Sequence, residues 1–142
     1  MSWFKEKLIL LSLSSKDRSW LNVNERMLQR GPEVIDRFIY EKNDKLIGFV
    51  DLSIYKNDSV AMAYAVNSIF QGKGYSQFLI NHAIKRAKEL QYKYLLYLVD
   101  KENIKSLNAI KKHKYFYKYW ETKFDLHYIC ELDLINISNL QL

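Results

Sequence analysis

The sequence predicts a single domain, residues 1–142, of mixed α/β (α+β) class with a central sheet flanked by helices. Two observations predict this class. Apolar runs of strand length and segments with helical spacing follow one another in a mixed rather than a strictly alternating order. The composition, 49% hydrophobic and 15% aromatic over 142 residues, is sufficient for one buried core and too apolar for a disordered chain.

The predicted domain begins with a buried strand at LILLSL, residues 8–13. Lysines precede this run, but it is shorter than a secretory signal core and lacks a small-residue cleavage site. Residues 14–29 then place apolar side chains at helical spacing, and Gly31 and Pro32 end that segment. A strand followed by a helix is therefore expected first.

A hairpin and a third long strand come next. Two apolar runs between residues 34 and 55 flank the polar turn formed by residues 42–45. Ser59 to Val66 is the third long strand, and residues 78–90 have the apolar and charged faces of an amphipathic helix.

The last third of the chain completes the predicted order β-α-β-β-β-α-β-α-β-β. The nearly unbroken apolar run at residues 92–99 is typical of a strand covered on both faces. A short helix from about Asn103 to His113 precedes an aromatic strand pair at residues 115–120 and 124–132.

The net charge of +6 favours an anionic partner but leaves open a nucleic acid, a phosphorylated cofactor or an acidic protein. Six lysines stand against Glu102 alone in one segment: Lys101, Lys105, Lys111, Lys112, Lys114 and Lys118. Taken alone, such a cluster is more typical of a solvated helix face. We expect no specific nucleic-acid binding.

Cys130 is the only cysteine, which excludes an internal disulfide and indicates a reducing compartment. No apolar run approaches the length of a membrane span, so we expect a cytoplasmic protein without membrane association. Cys130 is interpreted as a small buried side chain rather than a nucleophile. His127, three residues away, would lie on the opposite face of the same strand.

The segment QGKGYS, residues 71–76, joins the third long strand to the amphipathic helix. Gly72 and Gly74 tolerate positive φ and let other atoms approach the backbone. A helix start leaves its first N–H groups unpartnered, and these groups together with the helix dipole favour an anion. The segment therefore predicts a pyrophosphate site, with an ordinary strand-to-helix turn as the alternative. It lacks the third glycine of the dinucleotide fingerprint and the Gly-Lys-Ser/Thr of the nucleotide P-loop.

Gln71, Gly74 and Ser76 resemble the Q/R-x-x-G-x-G/A signature of the GNAT superfamily of N-acetyltransferases. Ser76 departs from the signature at its last position, where its hydroxyl is a candidate extra donor or helix cap. The order of predicted elements over almost the whole chain also matches. The resemblance implies a GNAT-like, mostly antiparallel sheet of about seven strands, splayed between the fourth and fifth strands.

Two further matches support the resemblance. Asn103, Ser106 and Leu107 are similar to the second signature, N-x-x-A/S-I/L, and Gly48 falls where the family often has a glycine. The resemblance implies acetyl-CoA as co-substrate and no metal. The cofactor-binding residues that it implies are Ala65, Val66, Gln71, Gly72, Lys73, Gly74, Tyr75, Ser76 and Asn103.

The chain departs from the family at the groups that move protons. Ile110 occupies the helix position of the tyrosine that protonates the departing thiolate in many relatives, and Val60 the position of a strand glutamate found in some. Tyr64 is the only titratable group on its strand and shares a face with Val60 and Val66. We therefore take Tyr64 as the candidate catalytic residue, with a half-buried structural tyrosine as the alternative.

The implied function is acetyl-CoA-dependent N-acetyl transfer directly to a primary amine of a small molecule or peptide. Direct transfer is favoured because Cys130 has no histidine partner near it in sequence. The alternative is a non-catalytic module that binds acyl-CoA or a protein partner. The acceptor stays open, as does a homodimer, but the aromatic last hairpin would suit a cation or a flat apolar amine. Its aromatic residues are Tyr115, Tyr117, Tyr119, Trp120 and Phe124.

Overall fold

The computed structural model describes residues 34–142 of the chain. The strands within this range are β1 (Val34–Lys42), β2 (Lys45–Lys56), β3 (Ser59–Val66), β4 (Tyr94–Asp100), β5 (Lys118–Glu121) and β6 (Asp125–Glu131). The helices are α1 (Tyr75–Glu89) and α2 (Ile104–Lys111), with 3-10 turns at Ser68–Phe70, Leu132–Leu134 and Ile137–Asn139. The strand predicted at residues 8–13 and the helix predicted at residues 14–29 lie outside the described residues.

The six described strands form one sheet in the order β1-β2-β3-β4-β6-β5. All neighbouring pairs are antiparallel except β3 and β4, which run parallel and are connected through α1. The mixed, mostly antiparallel sheet predicted from the sequence is thereby confirmed. Neither α1 nor α2 is long and apolar enough to cross a membrane.

The predicted hairpin is formed by β1 and β2. Its two connecting residues, Asn43 and Asp44, have φ values of 53° and 61°, a left-handed conformation that these side chains tolerate better than most. Across the hairpin Arg37 Nε lies 2.7 Å from Asp51 Oδ1, and both side chains are almost fully buried. A second bond of 3.1 Å from the Arg37 guanidinium to Asp51 Oδ2 makes the pair bidentate.

Both helices pack their apolar sides into one core on the same face of the sheet. Alternation along β3 and β4 places Val60, Met62, Leu95 and Val99 on this face. The buried residues of α1 are Leu79, Ile80, Ala83, Ile84 and Ala87, and those of α2 are Leu107 and Ile110. Burial of these side chains supplies the main driving force that holds the helices against β3 and β4.

Gly48 on β2 allows the close approach of α1. A Cβ at this position would lie 2.4 Å from the carbonyl oxygen of Ala65 and 2.9 Å from Leu79 Cδ1. No side chain fits in that space, so the glycine is required by the packing of α1 against the end of β3. This gives a physical reason for the glycine that the family resemblance singled out.

Two sequence predictions near the end of the chain are wrong in detail. The strand predicted at residues 115–120 is limited to Lys118–Glu121, because Phe116 N–H donates to His113 O (3.2 Å) in a turn that buries the Phe116 ring. The strand expected to be covered on both faces, β4, leaves Leu98 41% exposed. Among the aromatic residues of the last hairpin, Tyr115 packs against the core, whereas four are exposed: Tyr117, Tyr119, Trp120 and Phe124.

His113 joins the end of α2 to α1. Its ring is 6% exposed, Nε2 lies 2.6 Å from Asn81 Oδ1, and Nδ1 accepts from Tyr115 N–H at 3.3 Å. This pattern requires a neutral ring with its proton on Nε2. Burial, followed by the charge of Lys114, lowers the pKa of His113 from 6.5 to about 4.

The lowered pKa of His113 predicts a pH dependence of stability. The unfolded chain binds a proton at this residue below about pH 6.5, whereas the folded protein binds one only below about pH 4. The free energy of unfolding therefore falls as the pH is lowered from about 6.5 to about 4. Urea unfolding across the window measures this loss. His113→Gln, which cannot titrate, is the control and should flatten the curve. Identical pH dependence in both proteins would show that His113 is not responsible.

Candidate active site

The candidate site lies where β3 and β4 separate. The two strands pair with each other only from Ser59 opposite Tyr94 to Ala61 opposite Leu96. Beyond Ala61 the carboxyl-terminal part of β3 makes no pairs with β4. These are the fourth and fifth strands of the sequence prediction, so the predicted splay is confirmed. The part of β3 from Met62 to Val66 therefore has one backbone edge that a ligand can approach.

Asn67 fixes the position at which the chain leaves β3. It is 1% exposed, its N–H donates to Ile47 O (2.7 Å), and its side-chain Nδ2 donates to Leu46 O (2.9 Å). The side-chain oxygen accepts from Ile69 N–H (3.4 Å) at the start of a 3-10 turn. Asn67 was not among the predicted site residues, although an asparagine directly after an apolar strand is a usable signal for a turn.

The segment that follows forms a cradle of backbone amides. Gly72 and Gly74 have φ values of 78° and 84°, and no described atom lies within 4 Å of where a Cβ would stand on either. Phe78 N–H is the first to reach an acceptor inside α1, at Gly74 O (3.4 Å), which leaves the three amides of residues 75–77 without an intrahelical acceptor. The first turn of α1 also contains no acidic side chain. The geometry favours an anion.

One expectation for this segment is wrong. The N-cap of α1 is Gly74, which has no side chain, and Ser76 lies inside the first turn. The Ser76 hydroxyl is therefore not the helix cap, and the Ser76 N–H is one of the free donors at the helix start. The glycine at the N-cap leaves the helix end open rather than closed by its own side chain.

Part of the lysine cluster faces the amide cradle. Lys105 Nζ on α2 donates to Gln71 Oε1 at 3.0 Å, and Gln71 Nε2 donates weakly to Val66 O at 3.4 Å. Lys101, by contrast, forms an ion pair with Glu121 at 2.7 Å. These two lysines of the cluster therefore face different partners, Lys105 at the cradle and Lys101 on the hairpin side.

Asn103 begins α2 at the carboxyl end of β4. Its N–H donates to Asp100 O (3.0 Å), and its side-chain Oδ1 caps the helix by accepting from Ser106 N–H (3.2 Å). The cap uses only the oxygen, so the side-chain Nδ2 remains as a donor in an exposed position. Because Lys105 in the same turn contacts Gln71, the start of α2 and the amide cradle flank one opening.

Tyr64 and Tyr97 face each other across the splay. Their ring centroids are 5.2 Å apart with an interplanar angle of 35°, and Tyr97 is only 7% exposed. The Tyr64 hydroxyl is buried, and among residues 34–142 it finds no hydrogen-bond partner of normal geometry. Tyr64 was predicted from the sequence and Tyr97 was not, although Tyr97 occupies the first inward-facing position of β4 beyond the paired residues.

Burial raises the pKa of Tyr64, and the neighbouring Tyr97 raises it further, well above the usual range of a phenol. Burial also raises the pKa of Tyr97. Both phenols are therefore neutral at physiological pH. Each can donate a hydrogen bond or a proton, and neither serves as a base.

The positions of the usual proton-transfer groups are apolar and inaccessible. Ile110 and Val60 have no exposed surface and belong to the core. Cys130 is also fully buried, and burial, with a smaller effect of Glu131, raises its pKa to about 12. The prediction that Cys130 is a buried core residue is confirmed. Among the described residues no group of three or more His, Cys, Asp or Glu side chains could hold a metal ion.

Residues 5–115 match the sequence profile of the Acetyltransferase (GNAT) family. This match spans most of the chain and includes the amide cradle, β3, β4 and α2. No curated protein matches the chain in a sequence search.

Solved structures with a similar fold include the following three proteins. An N-acetyltransferase from Staphylococcus aureus Mu50 is 22% identical, with a TM-score of 0.56 over 82% of this chain and 75% of that one. The protein yncA from Salmonella typhimurium, solved with acetyl-CoA, is 14% identical, with a TM-score of 0.59 over 86% and 76%. A spermidine N-acetyltransferase SpeG chimera from Vibrio cholerae and hSSAT is 19% identical, with a TM-score of 0.58 over 83% and 78%. At these identities the likeness establishes the fold alone.

Proposed function

The chain belongs to the GNAT acetyltransferase family, and from this premise we propose that it transfers acetyl from acetyl-CoA directly to a primary amine of a small molecule or peptide. Membership of the family makes it an acyltransferase. The observation that carries the assignment of the donor is the amide cradle, with its two positive-φ glycines, beside the splay of β3 and β4.

The residues present fit acetyl-CoA. The cradle of residues 71–76 offers amide donors and the positive end of the α1 dipole to the pyrophosphate, and Lys73 and Lys105 add positive charge nearby. The free backbone edge of β3 at Ala65 and Val66 can bond the pantetheine amides, and the Asn103 amide can donate to them. The similar fold of yncA, which was solved with acetyl-CoA, supports this assignment.

The chemistry requires an unprotonated amine, a polarised carbonyl and a protonated leaving group. The acetyl thioester supplies an activated acyl group. Tyr64 is the proposed catalytic residue, acting as a neutral donor to the departing sulfur because its hydroxyl is buried and unpartnered among the described residues. Backbone N–H groups of β3 can polarise the carbonyl. Holding the reactants in place can contribute about 7–11 kcal/mol in favourable cases.

Transfer is proposed to be direct, and the amine loses its proton to water. Cys130, the only thiol, is buried and neutral, so it is not available for a covalent intermediate. We place the reaction in the cytoplasm, where this unpaired thiol stays reduced.

We propose that the acceptor is an amine with a cationic or flat apolar body that contacts the aromatic residues of the β5–β6 hairpin. Tyr119, Trp120 and Phe124 are between 40% and 66% exposed there, and exposed aromatic faces bind organic cations. The fold is shared with a spermidine N-acetyltransferase, which makes polyamines the first acceptors to examine.

Two measurements test the proposed function. Coenzyme A at about 100 times its dissociation constant should stabilise the folded protein by about 2.7 kcal/mol, because the amide cradle exists only when folded. Pantetheine, which lacks the phosphates, is the control ligand and should give a smaller shift. An amine panel with acetyl-CoA should then release free thiol. No shift with coenzyme A would overturn the donor assignment, and a shift without thiol release would favour the non-catalytic acyl-CoA module.

A further inference from the structure

We propose that the acceptor is an alkyl diamine that binds on the sheet face opposite the two helices, with its distal ammonium group held by Asp100 and Asp125. The assignment rests on the proposed acetyl transfer and gives the acceptor a chemical class and a binding surface. We call this surface the outer platform. Its side chains come from β4, β5 and β6 beside the splay: Leu98, Asp100, Trp120, Asp125 and His127.

Strand register places an apolar and aromatic row across the outer platform. Leu98 on β4 is opposite His127 on β6, and His127 is opposite Trp120 on β5. Directly opposite residues of antiparallel strands share a face, with Cβ atoms about 4.5–5.5 Å apart. The alternating residues Tyr97 and Tyr128 belong to the core beneath the helices, so the row lies on the other face of the sheet.

The row is accessible to a ligand. Leu98 is 41% exposed and Trp120 is 40% exposed. The Trp120 and His127 rings have centroids 4.8 Å apart and an interplanar angle of 34°. A surface of this kind packs against an alkyl chain, and the face of a tryptophan attracts an ammonium group.

The row borders the splay directly. Pairing of β4 with β3 ends at Leu96, so Leu98 lies on the part of β4 that faces the opening. Ala63 and Ala65 lie on the same face of β3, across the opening, and both are partly exposed. Their methyl side chains leave room above β3. An amine on the outer platform can therefore reach the opening from one face, while α1, which begins at the amide cradle, lies on the other.

Two carboxylates stand at the end of the row. Asp100 and Asp125 are directly opposite each other, on the same face as the row. Like charges in this arrangement destabilise a strand pair. Asp100 Oδ1 accepts from Glu102 N–H at 2.8 Å, whereas the Asp125 carboxylate has no hydrogen bond or ion pair within residues 34–142. Lys101 does not neutralise the pair, because it contacts Glu121. A bound ammonium group would remove the repulsion.

An unsatisfied nitrogen also favours a ligand on this face. Among residues 34–142, two buried side-chain atoms have no hydrogen-bond partner, the Tyr64 hydroxyl and His127 Nδ1. Native proteins keep few such atoms, and each calls for a reason. Tyr64 lies on the helix face of the splay and His127 on the outer face. Each face that a reactant would approach thus has one polar atom for which a ligand is the missing partner.

The experiment compares matched amines in turnover with acetyl-CoA. Alkane diamines from ethylenediamine to hexamethylenediamine are each paired with the monoamine of the same chain length. The best diamine should exceed its monoamine in kcat/KM by about tenfold or more, beyond the statistical gain from its second amine, because a charged contact is added. Asp125→Asn keeps the size of the side chain and removes the charge. It should raise KM for that diamine by about tenfold, with little change in kcat, and leave the monoamine unaffected.

The matched control is Asp133→Asn. Asp133 is exposed in the 3-10 turn after β6, where Leu132 N–H donates to Lys93 O (2.9 Å) beside the opposite end of β4. Removing its charge should change neither amine. Hexamethonium, a dication that cannot be acetylated, gives a second readout in the unmodified protein. It should inhibit competitively against the diamine and not against acetyl-CoA.

Each outcome decides between the two proposals. Equal kcat/KM for diamine and monoamine, equal effects of Asp125→Asn and Asp133→Asn, or no competition by hexamethonium would overturn the diamine site while acetyl transfer to other amines stands. Absence of thiol release with every amine would instead overturn the proposed function itself. The hexamethonium measurement needs no variant, so it decides the question even where Asp125→Asn does not fold.

Discussion

Gly74→Val is expected to abolish coenzyme A binding in a protein that still folds. Gly74 has a φ of 84° and is the N-cap of α1, a conformation that β-branched side chains strongly disfavour. Relief of that strain turns the cradle amides away from the pyrophosphate. Losing two charge-assisted hydrogen bonds at about 1.5–3 kcal/mol each weakens binding by at least ~10²-fold. The loss of the coenzyme A thermal shift measures this effect.

Gln91→Val is the matched control for this substitution. Gln91 also has a positive φ, 67°, and lies just beyond the other end of α1, away from the amide cradle. The same β-branched side chain therefore imposes similar backbone strain on the same helix. Gln91→Val should lose stability but keep the full coenzyme A shift. A retained shift in Gly74→Val would mean that the cradle does not hold the pyrophosphate.

The features predicted correctly from the sequence are those fixed by local chemistry. The two-residue turn at Asn43 and Asp44 follows from side chains that tolerate positive φ between apolar runs. The positive φ expected at Gly74 follows from a glycine between a strand and an amphipathic helix. Each requires only a few neighbouring residues, so a single sequence was enough to predict it.

The features missed depend on contacts between segments far apart in the sequence. Tyr97 gains its importance only from the packing of β4 beside β3, which brings its ring within 5.2 Å of the Tyr64 ring. The Phe116 ring was expected in a strand, but a turn to His113 buries it instead. Periodicity reports which residues alternate and not which partner each one meets, so these contacts could not be derived from spacing alone.

Tyr64→Phe is expected to separate catalysis from binding and stability. The phenylalanine ring keeps the packing against Tyr97, so the coenzyme A shift should survive. The variant lacks the donor to the departing sulfur, and kcat should fall by roughly 10²-fold or more at similar KM. Steady-state turnover with the best acceptor of the amine panel, together with urea unfolding, checks both expectations.

The stability of the same variant identifies the role of the hydroxyl. A structural hydroxyl would make hydrogen bonds, and its removal would cost about 1 kcal/mol of the free energy of unfolding. The Tyr64 hydroxyl is buried and unpartnered among residues 34–142, so Tyr64→Phe should be as stable as the wild type or more stable while being less active. Tyr40→Phe, in the partly buried tyrosine of β1 that packs against Phe78, is the control and should keep full turnover. Unchanged turnover in Tyr64→Phe would leave water as the proton donor, with the orientation of the reactants along β3 as the main source of the rate.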